Sequence, residues 1–135
     1  MRFLFAVALL LGSMGLAHSG EAAGPAQKHC PISGKSVDGS VFVDVEGFRV
    51  MVAGQIEADA VRKKPGDAFK ALAKRREAAE PVVWLCPSME QAVDRRYPFV
   101  QQAGKRIYYC CRPCQPRIKN DFKWACDKMK SFAGQ

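Results

Sequence analysis

Tyr108-Tyr109-Cys110-Cys111-Arg112-Pro113-Cys114 sets how this chain of 135 residues is read. An aromatic pair with strand propensity runs straight into a cysteine, and another cysteine follows after three residues. Cys86, in the dipeptide Cys86-Pro87, precedes Cys110 by a gap of 23 residues. Thiolates are soft ligands. A close pair on a turn, with a third sulfur from a distant loop, can close on Cu(I), Zn(II) or a similar ion. A purely structural scaffold has no need of the short pair.

Around this stretch the pattern is that of a hairpin and a helix. Tyr97–Gln101 and Lys105–Tyr109 read as strands flanking the turn Ala103-Gly104. Ile118, Phe122, Ala125, Cys126, Met129 and Phe132 recur at spacings of three and four, one apolar helical face. The same order occurs earlier in the chain. His29-Cys30-Pro31-Ile32-Ser33-Gly34-Lys35-Ser36-Val37-Asp38 parallels Leu85-Cys86-Pro87-Ser88-Met89-Glu90-Gln91-Ala92-Val93-Asp94. Val41–Val45 and Phe48–Val52 alternate as half-buried strands do, around Glu46-Gly47. Ile56, Ala60 and Val61 begin a helix that Pro65 interrupts. A second helix is expected from Asp67, as N-cap, through Phe69, Leu72 and Ala73 to about Ala79.

The expected fold class is therefore α+β, with two small tandem units of β-hairpin plus helix. The first spans 29–80 and the second 86–133, joined by a linker at 81–85. Aligning the turn glycines sets Ala53 opposite Cys110 and Glu57 opposite Cys114, so the first unit keeps Cys30 but lacks the pair. Units this small have little core each, and should pack together or be pinned by metal or disulfide.

The beginning of the chain reads as an address. Arg2, the apolar run Phe3–Leu11 and the small residues around Ala17-His18-Ser19 describe a secretory signal peptide over 1–19, followed by a disordered lead-in at 20–28. Cleavage is expected after Ser19, with Ala17 the second choice. The apolar run falls short of the roughly 20 residues of a membrane span. A periplasmic or secreted protein without a membrane span follows, in a compartment where disulfides are permitted. All six cysteines (Cys30, Cys86, Cys110, Cys111, Cys114, Cys126) lie past the cleavage point. Six cysteines in a short exported chain also fit a disulfide framework, for which about 15 connectivities exist.

Positive charge gathers with the cysteine cluster. Residues 86–135 carry 10 basic and 4 acidic side chains, a net +6, whereas 30–80 carry 9 and 8, a net +1. A basic field favours thiolate. Export argues against nucleic acid as the partner of this charge.

Cys86-Pro87 opening a knuckle, a hairpin ending in Tyr108-Tyr109, then Cys110 and Cys114 before a helix resembles the TRASH and YHS families of small metal-binding domains. The resemblance covers about Val83–Phe132. The first unit is similar in shape, through its Cys30-Pro31 knuckle and its hairpin, as a degenerate copy. The resemblance implies a treble-clef or zinc-ribbon-like fold and a role in heavy-metal trafficking, resistance or sensing, with Cys86, Cys110 and Cys114 as ligands. Another metal-trafficking protein is the partner it suggests.

Zinc prefers four ligands, while Cu(I) accepts two or three. Candidates for a further ligand are Cys111, Cys126, Cys30, His29 and Met89. Cys111 adjoins Cys110, so their side chains tend to diverge. Cys126 sits on the apolar helix face, where a core cysteine or a bridge to Cys111 or Cys30 is the competing reading. Cys30 and His29 reach the site only if the two units fold against each other. Met89 offers Cu(I) a thioether. No Ser-His-Asp set, phosphate-binding glycine loop or helical His-Glu-x-x-His is present. Cys111-x-x-Cys114 has redox-motif spacing at a helix start but lacks a βαβ setting, so thiol–disulfide exchange ranks behind the main alternative, a disulfide-stapled interaction domain without metal. The expectation is a binding protein rather than an enzyme, holding one copper(I) or zinc(II) per chain.

Overall fold

The computed structural model describes residues 24–135, so the expected signal at 1–19 lies outside the described residues. The alternating valines form strands β1 (Phe42–Val45) and β2 (Phe48–Met51), antiparallel from Phe42 opposite Met51 to Val45 opposite Phe48. Val43, Phe48 and Val50 point into the core. Helix α1 (Gln55–Lys63) follows. Ile56, in its first turn, is 85% exposed, and Ala58 and Val61 take the buried positions. Helix α2 (Pro65–Lys74) starts at the proline itself, with Asp67 in the first turn and not at the cap. A first helical position needs no N–H, which is why proline is tolerated there. The helix ends at Lys74, short of Ala79, because Arg76 takes a positive φ of 58° and the chain turns back to the sheet.

Glu80 and Pro81, expected to close a helix and open a linker, form strand β3 (Glu80–Pro81) against β2. The second hairpin pairs β4 (Phe99–Gln102) with β5 (Lys105–Tyr108). Helices α3 (Cys114–Asn120) and α4 (Phe122–Phe132) replace the single helix the apolar spacing suggests. Asp121 leaves the helical region (φ −128°, ψ 68°), and its carboxylate accepts the Trp124 N–H at 3.0 Å, capping α4. The class is α+β. No described helix is long and apolar enough to cross a membrane.

The two knuckles repeat each other bond for bond. In the first knuckle the Cys30 N–H donates to Lys35 O (2.7 Å) and the Gly34 N–H to Cys30 O (2.9 Å). In the second, the Cys86 N–H donates to Gln91 O (2.8 Å) and the Glu90 N–H to Cys86 O (2.7 Å). Both hairpins turn through two residues of positive φ, Glu46-Gly47 and Ala103-Gly104. This is the twist that suits a two-residue hairpin.

One core runs through both halves, and the hairpin tips interlock. A Cβ on Gly47 would lie 2.5 Å from the Met129 carbonyl carbon in α4. A Cβ on Gly104 would lie 2.1 Å from the Phe69 carbonyl oxygen in α2. Each tip thus presses backbone to backbone on a helix of the other half, an approach only glycine permits. The segment at 79–82 stitches the hairpins together. The Val82 N–H donates to Gly47 O (3.0 Å), the Ala79 N–H to Gly104 O (2.8 Å) and the Arg106 N–H to Ala79 O (3.0 Å). Lys105 lies over the rings of Phe48 and Phe69 and reaches Glu46 at 3.2 Å. Ala26 and Gln27, expected in a disordered lead-in, are buried. The Gln27 side chain both donates to and accepts from the Met51 backbone.

Gly104→Ala is expected to destabilise the fold by about 3 kcal/mol, combining positive-φ strain with displacement of α2. Ala103→Asn, which suits the left-handed position beside it, should add about 0.5 kcal/mol. Urea unfolding of both variants checks the pair, and equal stability for Gly104→Ala and the parent would refute the interlock.

Candidate metal centre

Three segments bring three sulfurs together. The second knuckle holds Cys86, with its backbone closed by the bonds to Gln91 and Glu90. The end of β5 delivers Cys110, one residue after the Tyr109 N–H donates to Pro98 O at 3.0 Å. Helix α3 opens with Cys114, whose N–H donates to Cys111 O at 3.1 Å. The Sγ atoms of Cys86, Cys110 and Cys114 all lie within 4.8 Å of one another, and Cys110 and Cys114 are 3.9 Å apart. Ligands at a Zn–S length of about 2.3 Å sit about 3.8 Å apart around a tetrahedral ion and about 4.0 Å apart in a trigonal one. The spacing of the pair therefore fits either. Cys86 is fully buried and Cys114 is 2% exposed, whereas Cys110 is half-buried and opens the site to solvent.

The electrostatics are those of crowded thiols. Burial, then hydrogen bonds with Cys86, Cys111 and Cys114, pushes the Cys110 thiol up to about 12. Cys111 moves the other way, chiefly because the Cys114 thiol hydrogen-bonds to it. A soft cation bound by these sulfurs would take the place of their protons.

The other candidate ligands are placed as follows. Cys111 Sγ lies 3.0 Å from Cys114 Sγ but does not join the three-sulfur group. Cys126 is half-buried in α4 beside a small cleft of about 130 Å³ shared with Glu46, Lys105, Asp127 and Lys130. Burial, partly offset by Lys105, raises its thiol to about 11. Met89, at the knuckle tip, is 62% exposed. His29 pairs its Nδ1 with Glu77 at 2.5 Å, and Glu77 also accepts the backbone N–H groups of Lys28 and His29. Cys30 is buried in the first knuckle, where Ala53 stands in place of Cys110. Burial there raises the thiol pKa, but hydrogen bonds from the Ser33 hydroxyl and from backbone N–H groups of Ser33, Ile32 and Ala53 outweigh it and the net shift is downward. Of these five residues, Cys111, Cys126, His29 and Cys30 all stand outside the three-sulfur group.

Some supporting residues escape a reading by motif. Arg117 donates to Ser88 Oγ (3.2 Å) and stacks over the Trp124 ring (4.3 Å), tying the knuckle to both helices. Tyr108, beside the site in sequence, sends its hydroxyl away from it to donate to buried Glu80 (3.1 Å). Glu80 in turn holds Arg95 through both carboxylate oxygens. Glu90 adopts φ 56° where the first knuckle has Gly34 at φ 74°. That pairing is visible in the aligned repeats, whereas nothing local marks Arg117.

Compared with family models, curated proteins and solved structures, the chain matches none. The site is accordingly read from its own chemistry.

The His29–Glu77 contact makes a further expectation. Burial alone would raise the Glu77 pKa, but the bonds from His29 and the two backbone N–H groups bring it below the ordinary glutamate range. A carboxylate lowered in the folded state adds stability above its unfolded pKa of about 4.3, and that stability is lost as pH falls through the folded value. Glu77→Gln should flatten the acid limb of the stability–pH curve while leaving any metal uptake intact. Loss of metal with this variant would return His29 to the ligand set.

Proposed function

We propose that this chain is an exported soft-metal-binding protein that holds one Cu(I) or Zn(II) through Cys86, Cys110 and Cys114. The observation that carries the reading is the convergence of three thiols, two of them buried, from a knuckle, a strand end and a helix start. Three sulfurs with no fourth His, Cys, Asp or Glu among the described residues favour Cu(I), which is content with three-coordination, over Zn(II). The half-exposed Cys110 leaves one side open for an incoming ligand, which suits delivery or sequestration better than a permanently closed structural site. Handling of this kind agrees with the likeness of the second unit to TRASH and YHS domains, and with the basic residues gathered there. The first unit, with Ala53 and Glu57 where the pair would stand, acts as a docking or stabilising module. On this reading the protein binds and hands over its ion and catalyses no reaction.

Native mass spectrometry with elemental analysis and thiol counting, on mature protein exported into an oxidising compartment, tests the reading. One Cu or Zn per chain is expected, lost on alkylation of Cys110 and Cys114. Cys114→Ser should lower metal affinity by more than about 100-fold, beyond what a lost supporting hydrogen bond costs. Cys126→Ser should leave it unchanged. A metal-free mass short by six hydrogens, with no free thiol, would instead mean three disulfides and a stapled interaction domain.

A further inference from the structure

Cys111 is the sulfur that the three-thiol site does not use, yet it is the one in closest contact with it. Its Sγ lies 3.0 Å from Cys114 Sγ, nearer than the 3.9 Å that separates Cys110 from Cys114. It sits on a turn whose next two residues, Arg112 and Pro113, are exposed, so a molecule in solvent can approach it. Cys86 and Cys114 are closed to such an approach by burial. The Cys-x-x-Cys spacing at a helix start lets two thiols bridge with little backbone movement, since a disulfide brings its sulfurs to about 2.05 Å.

We propose that Cys111 and Cys114 form a redox-active dithiol whose substrate is a small-molecule or protein disulfide, and that its oxidation expels the metal. The proposal rests on the metal-binding reading of Cys114. The step balances as thiol–disulfide exchange. The Cys111 sulfur attacks one sulfur of the incoming disulfide, giving up its proton and forming a mixed disulfide, and the first leaving thiolate picks up a proton. The Cys114 sulfur then leaves the metal and attacks the Cys111 sulfur, closing the Cys111–Cys114 bond. The second leaving thiolate is protonated by solvent. Two electrons pass from the two cysteines to the incoming disulfide, which becomes two thiols. The ion keeps its charge and departs because one of its three sulfurs is gone. Metal release is thereby tied to the thiol–disulfide balance around the protein.

The test uses the mature protein loaded with Zn(II) and exposed to oxidised glutathione without air. Released zinc is followed with a chromophoric chelator, and the bridged cysteines are assigned by fragmenting the linked peptide. The wild type should release its zinc as the Cys111–Cys114 bond appears. Cys111→Ser and Cys111→Ala should hold the same zinc beforehand and release it about tenfold or more slowly. Either variant failing to take up zinc would make Cys111 a ligand and overturn the proposal. Release from both at the wild-type rate, or a bridge between another pair, would also overturn it. Should the wild type take up neither zinc nor Cu(I), the metal reading falls separately. The bridge map then decides the dithiol alone, with Cys111–Cys114 supporting it and any other pair overturning it.

Discussion

The two hairpin tips, each seated backbone to backbone on a helix of the opposite half, hold this molecule together. Gly47 against Met129 and Gly104 against Phe69 leave no room for even a methyl group. Between them the backbone at 79–82 bonds to both hairpins, so the two sheets are tied through one segment and the halves share one core. A chain of this length has too little apolar interior to support two separate cores. Sharing one core solves that problem. It also fixes β5 and the start of α3 against the second knuckle, and that relation is what brings Cys86 to Cys110 and Cys114.

The halves are alike in backbone and different in chemistry. Both knuckles close with the same two hydrogen bonds around a cysteine. In the first, Cys30 is surrounded by hydrogen-bond donors, Ser33 and backbone N–H groups, which satisfy the sulfur without any ion. In the second, Cys86 faces the sulfurs of Cys110 and Cys114. The same local fold thus yields a lone hydrogen-bonded cysteine in one half and a three-sulfur group in the other. Arg117 links the second knuckle to α3 and α4 through Ser88 and Trp124.

Much of this was legible in the residues. The valine alternation, the turn glycines and the repeated Cys-Pro knuckle predict both hairpins and the α+β class, because period-two patterns and positive-φ glycines are local signals. The Cys86, Cys110 and Cys114 spacing picks out the sulfurs that converge. What could not be read were effects of contact between the halves. Ile56, Ala60 and Val61 announce α1, but the face turned to the core is the one carrying Ala58 and Val61, with Ile56 in solvent. Glu80-Pro81 became a strand because two sheet edges needed a partner, not because the dipeptide favours one. The split at Asp121 is signalled by a capping residue, yet the apolar stripe continues straight across it. The tight seats of Gly47 and Gly104 depend on residues about 80 and 35 positions away, a separation no local pattern reports.

X-ray absorption at the metal edge of the mature protein, purified as exported and without added metal, is the most direct measurement. Three sulfur scatterers at about 2.3 Å around one Cu or Zn are expected, falling to two in Cys86→Ser. An edge dominated by nitrogen and oxygen neighbours, or one unchanged in Cys86→Ser, would contradict a site built from these three cysteines.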